Sequence, residues 1–164
     1  MKTCVFAGTF DPFTLGHKSM VDECLNRFGK VIIVIGENPL KRSVMPTADR
    51  KLAIDACYKN DGRVLTVCYK EIKQNFSEFL ISQGATVYVR GIRNDADLEF
   101  EKAMEQKNKK LYPFITTEYI YAEQSVKEVS STAVRELILK GESINKLVPS
   151  ECLDIVLQSF RANL

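Results

Sequence analysis

The chain lacks most of the features that mark specialised protein classes. Among its 164 residues there is one histidine, His17. Its five cysteines, Cys4, Cys24, Cys57, Cys68 and Cys152, form no CxxC pair and leave an odd count. This excludes a disulfide framework or a zinc knuckle as the organising device. Most of the cysteines lie in apolar stretches, as small core residues do. No apolar run approaches the roughly 20 residues of a membrane span. The start, Met1 to Ala7, enters an apolar segment too short for a signal peptide. The expectation is a cytoplasmic protein with no membrane partner. A net charge of +2, with basic residues spread along the chain, is too weak for a nucleic-acid surface. There is no internal repeat or low-complexity tract. Absence of G-x-G-x-x-G and of Gly-Lys-Ser/Thr removes the dinucleotide fingerprint and the P-loop.

What is present reads as one domain, residues 1–164, able to bury roughly two-thirds of its unfolded surface without staples. Hydrophobic residues make up 45% and charged residues 27%, ordinary for a soluble fold. Short β-branched runs at Thr3–Ala7, Val31–Gly36, Val64–Tyr69, Thr86–Arg90 and Thr116–Tyr121 predict five strands. Helical spacing separates them. Met20, Val21, Cys24, Leu25 and Phe28 define one helix, with Gly29 placed for a left-handed C-cap. Thr47 is the expected N-cap of a helix carrying Leu52, Ala53, Ala56 and Cys57 to about Asp61-Gly62. Asn75 caps another, with Phe76, Phe79 and Leu80 inward and Gly84 closing it. A longer helix is expected from Asp95 to Leu111, with Leu98, Ala103, Met104 and Leu111 near one face. Ser130 or Ser131 opens a helix that ends at Gly141, and Pro149 opens the last, through Leu153, Val156, Leu157 and Phe160. The pattern predicts an α/β, Rossmann-like doubly wound fold, with a mostly parallel five-stranded sheet and C-terminal helices.

His17 closes the segment Ala7-Gly8-Thr9-Phe10-Asp11-Pro12-Phe13-Thr14-Leu15-Gly16-His17, between the first strand and the first helix. Ligands of open α/β sheets bind beyond the carboxyl ends of strands, where a helix N-terminus presents unpaired N–H groups to anions. Gly8 admits close backbone approach, Thr9 offers a hydroxyl and an N–H, and Asp11-Pro12 makes a rigid turn. Thr14-Leu15-Gly16-His17 resembles the T-x-G-H signature of the nucleotidyltransferase superfamily, relatives of the class I aminoacyl-tRNA synthetases. Far downstream, Ser130-Ser131-Thr132-Ala133-Val134-Arg135 resembles the I-S-S-T-x-x-R signature of the same superfamily. Small hydroxyl residues at a helix start supply donors for triphosphate oxygens. A third segment, Val89-Arg90-Gly91-Ile92-Arg93 through Asp97-Leu98-Glu99-Phe100-Glu101, resembles that of the bacterial phosphopantetheine adenylyltransferases.

That resemblance runs from the first strand to about Arg135. It implies transfer of the adenylyl group of ATP to phosphopantetheine, giving dephospho-coenzyme A and pyrophosphate. It also implies Mg²⁺ accompanying ATP, a homohexamer, and coenzyme A as a feedback ligand. By the resemblance, His17, Lys41 and Arg90 are the catalytic residues. Thr9, Phe10, His17, Gly91, Ile92, Arg93 and Glu101 contact ATP, together with Val126, Lys127, Glu128, Val129, Ser130, Ser131 and Thr132. Thr9, Lys41, Lys73 and Arg90 contact phosphopantetheine. No metal-ligating side chain is implied. Three positions depart from the family pattern: Ala7 for a common proline, charged Lys73 for an apolar residue, and Val126 for a tryptophan. The nucleophile is already an anionic phosphate oxygen, so positioning and charge neutralisation suffice, with no base and no covalent enzyme intermediate. Two alternatives stand beside this one. The first is a small adenylyl- or cytidylyltransferase acting on another phosphate, such as nicotinate mononucleotide or glycerol phosphate. The second is a non-catalytic nucleotide-binding protein of the same fold.

Overall fold

The computed structural model describes residues 1–126 and 128–164. Its five strands, β1 (Thr3–Gly8), β2 (Lys30–Ile35), β3 (Val64–Cys68), β4 (Ala85–Ile92) and β5 (Thr116–Tyr121), form one sheet in the order β3-β2-β1-β4-β5. Every neighbouring pair is parallel, which sharpens the expectation of a mostly parallel sheet. Helices α1 (Leu15–Arg27), α2 (Thr47–Tyr58), α3 (Phe76–Ser82), α4 (Asp95–Leu111), α5 (Ser131–Leu139) and α6 (Leu153–Asn163) complete it.

Alternation along β1 and β2 builds two cores on opposite faces of the sheet. Cys4, Phe6, Val31, Ile33 and Ile35 pack against Met20, Val21 and Cys24 of α1 and Ile54 and Tyr58 of α2. Val5, Ile32 and Val34 pack the other way, with Leu80 of α3, Ala85 and Ile115. A third cluster joins Ala53 of α2 to Val134 of α5 and to Ile144, Val148, Cys152, Val156 and Phe160. Four of the five cysteines are buried and all are free. The switch in connection direction falls between β1 and β4, so the crevice at their carboxyl ends is the expected ligand site.

Helix ends follow local chemistry. The Asn75 side chain accepts from Ser77 N, Asn94 from Asp97 N and Ser130 from Ala133 N. At the end of α5, Gly141 has φ +72°, donating to Ile138 O while Glu142 N donates to Leu137 O. This pair of bonds is a Schellman stop, which needs the left-handed residue.

Several local expectations are corrected. Gly29 is not a left-handed cap: α1 ends on extended Phe28, whose N–H donates to Cys24 O, and a Cβ on Gly29 would lie 2.6 Å from that of Met1. Thr47 is the first residue of α2 and not its cap, because its hydroxyl donates to Glu37 at 2.8 Å. Leu52 faces solvent, and Ile54 and Tyr58 take the inward places. A short 3-10 turn, Ser150–Cys152, follows Pro149 before α6 begins at Leu153. The residues expected near one face of α4 meet no core: no residue of the helix is buried, and Phe100, Met104 and Leu111 are exposed.

Candidate active site

Two cavities meet at the carboxyl ends of β1 and β4. The larger, about 540 Å³, is walled by Thr9, Tyr69, Phe76, Leu80, Tyr88 and Tyr112 among others. The smaller, about 320 Å³, is lined by Phe10, Gly16, His17, Gly91, Ile92 and Arg93, with Val126, Val129, Ser130 and Ser131 opposite. Ala7, Gly8 and Arg90 line both and form the wall between them. One chamber is aromatic, and the other is built of glycines, hydroxyls and a helix start.

His17 sits half-buried on the first turn of α1. Thr14 N donates to His17 Nδ1 at 3.0 Å, and His17 N donates to Thr14 Oγ1 at 3.3 Å, a reciprocal cap at the helix start. The bond to Nδ1 fixes the neutral tautomer, leaving the proton on Nε2. Phe13 stacks on the ring at 5.6 Å and Phe10 meets it edge-on at 4.9 Å. Burial pushes the imidazole down to about 4, so at neutral pH it is an uncharged N–H donor. Gly16 lies close against Val126 and Val129: a Cβ there would sit 3.3 Å from Val129 O and 3.4 Å from Val126 O. The T-x-G-H turn therefore docks directly on the segment that precedes α5.

Arg90 leaves the end of β4 and is held by Glu101 of α4 in a two-pronged ion pair, Nε to Oε2 at 2.8 Å and Nη2 to Oε1 at 2.9 Å. Nη1 donates to Tyr88 Oη at 3.3 Å. Hydrogen bonding to Glu101 raises the guanidinium pKa further, so its charge is permanent. Three of five N–H groups are engaged, which leaves one on each terminal nitrogen for a phosphate. Glu101, taken from the resemblance as an ATP contact, is here the group that aims Arg90.

At the start of α5 the hydroxyls are already occupied. Ser130 Oγ accepts from Ala133 N at 3.1 Å, and Ser131 Oγ donates to Pro12 O at 2.8 Å. The backbone N–H groups of Ser131 and Thr132 are the ones left free for an anion by helix geometry. Thr132 Oγ1 is taken by Arg135, whose Nη1 also donates to Asp11 O at 2.7 Å. The turn that leads into the T-x-G-H motif is thus bonded to the start of α5 across more than a hundred residues.

Other residues implied by the resemblance are placed less uniformly. Arg93 is exposed and pairs with Asp97 at 3.3 Å. Glu128 is exposed, and Lys127 lies outside the described residues. Lys41 lines an open depression beside the larger cavity, the two sharing Glu37, Asn38 and Pro39. Lys73 lines a separate small pocket with Thr66 and Cys68, and the aromatic wall is supplied by residues the sequence reading missed. Tyr69 and Tyr112 meet Phe76 edge-on at 5.1 and 5.9 Å, and only the aromatic character of the three hinted at a lining role. Among the described residues no group of three or more His, Cys, Asp or Glu side chains could hold a metal ion. Nor is any helix among them long and apolar enough to cross a membrane.

For this fold and this pair of cavities, the class follows from the model of the cytidylyltransferase-like family, which matches residues 5–137: the chain is a nucleotidyltransferase. The chain is 36% identical over 149 residues to the phosphopantetheine adenylyltransferase of Christiangramia forsetii, covering 91% of this chain and 96% of that protein. It is 33% identical to that of Thermotoga neapolitana (90% and 89% covered) and 34% identical to that of Streptococcus pneumoniae (93% of each). In fold it is similar to the crystal structure of a candidate nicotinate-nucleotide adenylyltransferase from Vibrio parahaemolyticus, with TM-score 0.70, 21% identity, and 98% and 96% of the two chains covered. The chain belongs to the phosphopantetheine adenylyltransferase family.

Proposed function

We propose that the protein transfers the adenylyl group of ATP to phosphopantetheine, yielding dephospho-coenzyme A and pyrophosphate. The observation that carries this is the wall of Ala7, Gly8 and Arg90 shared by an aromatic chamber and a phosphate-type chamber. The long, largely uncharged arm of the acceptor suits the aromatic chamber, where burial of apolar surface is favourable. The nucleotide suits the chamber with the helix starts. Their phosphates then meet at Arg90 and Thr9.

The acceptor phosphate oxygen forms a bond to the α-phosphorus of ATP in line with the bridging oxygen to the β-phosphate. That bond breaks, and pyrophosphate leaves with the electron pair. His17 Nε2–H donates to the α-phosphate as negative charge builds on its equatorial oxygens. Arg90 and Lys41 neutralise the acceptor phosphate, and the N–H groups of Ser131 and Thr132 receive the departing pyrophosphate. Mg²⁺ enters on the triphosphate as part of the substrate, since Mg²⁺ is commonly held by phosphate oxygens and water.

The exposed apolar residues of α4 support assembly of copies, and we propose a homohexamer in the cytoplasm. Coenzyme A, which shares the acceptor's arm, is the proposed feedback ligand. The test is pyrophosphate release from ATP with separate acceptors. Release with phosphopantetheine, and not with nicotinate mononucleotide or glycerol phosphate, is expected. Release only with another acceptor would overturn the assignment, and silence with all would mark a non-catalytic binder.

A further inference from the structure

Arg50 on α2 is 1% exposed, and all five of its N–H groups have acceptors. Nε donates to Met45 O at 3.0 Å; Nη1 donates to Thr9 O at 2.9 Å and Gly36 O at 3.3 Å. Nη2 reaches Thr47 Oγ1 at 3.2 Å and Glu37 Oε1 at 3.5 Å. Among the described residues the only carboxylate paired with this buried charge, Glu37, is 53% exposed. Such an arrangement is not the cheap way to stabilise a core, because apolar residues of similar volume commonly serve as well. What the guanidinium supplies is geometry. Three carbonyl oxygens converge on it from the turn after β1, the end of β2 and the segment before α2, and their lone pairs would repel one another without a forked donor between them.

Asp11 makes the complementary half of the clasp. It is 3% exposed, and its carboxylate accepts from Val44 N at 2.9 Å and Met45 N at 2.8 Å. Gly36 N donates to Gly8 O at 2.9 Å. Both ends of the segment from Gly36 to Met45 are thereby bolted to residues 8–11, while Lys41 rides in its middle. The intervening stretch is held more lightly, by Leu40 N to Asn38 Oδ1 at 2.9 Å and Lys41 N to Asn38 O at 3.0 Å.

A second consequence follows from peptide planarity. The bond to Thr9 O fixes the plane of the Thr9–Phe10 peptide, and in a trans peptide the Phe10 N–H then points away from Arg50. Phe10 holds φ +54°, a left-handed conformation unfavourable for a side chain of this size, and it lines the nucleotide chamber. We propose that Arg50, with Asp11, is a positioning residue for the transfer, aiming the Phe10 N–H and setting the reach of Lys41 toward the reacting phosphates. This rests on the adenylyl-transfer reading and on the role given there to Lys41.

The test compares Arg50→Lys, Asp11→Asn, Lys41→Ala and the double variants Arg50→Lys/Lys41→Ala and Asp11→Asn/Lys41→Ala, with folding checked by circular dichroism. Lysine keeps the charge but cannot span three carbonyls. Arg50→Lys is expected to lower kcat about 100-fold, the order expected for a misplaced reactive group. KM for ATP should stay within about threefold, while KM for phosphopantetheine rises with the misplaced Lys41 that meets its phosphate. In the Lys41→Ala background the same change should cost at least about tenfold less, because its main target is gone. A purely structural residue would lower the melting temperature, leave kcat of the folded fraction intact, and multiply with Lys41→Ala. Unchanged kcat, a rise in KM alone, or fully multiplicative losses would each overturn the inference. If Arg50→Lys does not fold, Asp11→Asn carries the same comparison with the same outcomes. Full turnover in Lys41→Ala alone would overturn the Lys41 role and this inference together, a result distinct from multiplicative losses, which would overturn the clasp and leave Lys41 in place.

Discussion

His17 shows how one side chain is tuned by its neighbours. Thr14 N–H occupies Nδ1, two phenylalanines pack against the ring, and its partial burial leaves it a neutral donor with its proton on Nε2. It cannot then compete with Arg90 as a cation, and in the proposed transfer the roles divide: Arg90 supplies charge and His17 supplies a directed hydrogen bond. Because this is the only histidine, a titration followed by NMR of the imidazole protons reads it without ambiguity. The ligand-free protein is expected to show a midpoint near 4, against the ordinary 6.5. A midpoint near 6.5 would contradict the desolvated site. The sign for stability follows from linkage. The unfolded chain takes up the proton first, so this contribution is complete above 6.5 and is lost as pH falls through the folded value near 4. The position of His17 was legible from the strand-to-helix turn, but its neutrality was not, because Phe13 and the Thr14 amide act through geometry. Arg50 was less legible still. An arginine on an amphipathic helix reads as solvated until three distant carbonyls are seen to converge on it.

Among the elements, α4 departs furthest from its sequence pattern. Phe100, Met104 and Leu111 recur at helical spacing, which usually means an inward face. Yet no residue of α4 is buried, and Phe100 and Leu111 are 67% and 65% exposed. The helix is nevertheless well made: Asn94 caps it, Asp95 and Asp97 stand at its start, and Lys109 and Lys110 at its end, as its dipole favours. Periodicity reports that a face is to be covered and not by what. Under the proposed assembly, Phe100→Glu with Leu111→Glu should leave the protomer folded. Light scattering should show the species falling from six times the 18.6 kDa chain mass to smaller forms. A wild-type protein already at the chain mass would contradict the assembly. By contrast α5 was legible at both ends, since Ser130 and Gly141 carry local chemistry that needs no partner.

Across the whole molecule, the parallel order β3-β2-β1-β4-β5 brings the carboxyl ends of β1 and β4 side by side. Gly8 and Arg90 thereby become the shared wall of two chambers. The two sequence motifs point to the smaller chamber, which Gly16, His17, Ser130 and Ser131 line. The sequence did not disclose the aromatic side, because Tyr69, Phe76, Tyr88 and Tyr112 come from four places that only the fold unites. In the proposed transfer His17 is a neutral donor of the smaller chamber, acting on charge that appears in the transition state. The most direct test of that role is steady-state pyrophosphate release by His17→Ala, with ATP and phosphopantetheine varied in turn. Loss of one preorganised donor predicts a fall in kcat of about 10²–10³-fold, with KM for ATP nearly unchanged. A variant with unchanged kcat and a raised KM for ATP would show that His17 only binds the ground state, and would contradict the account.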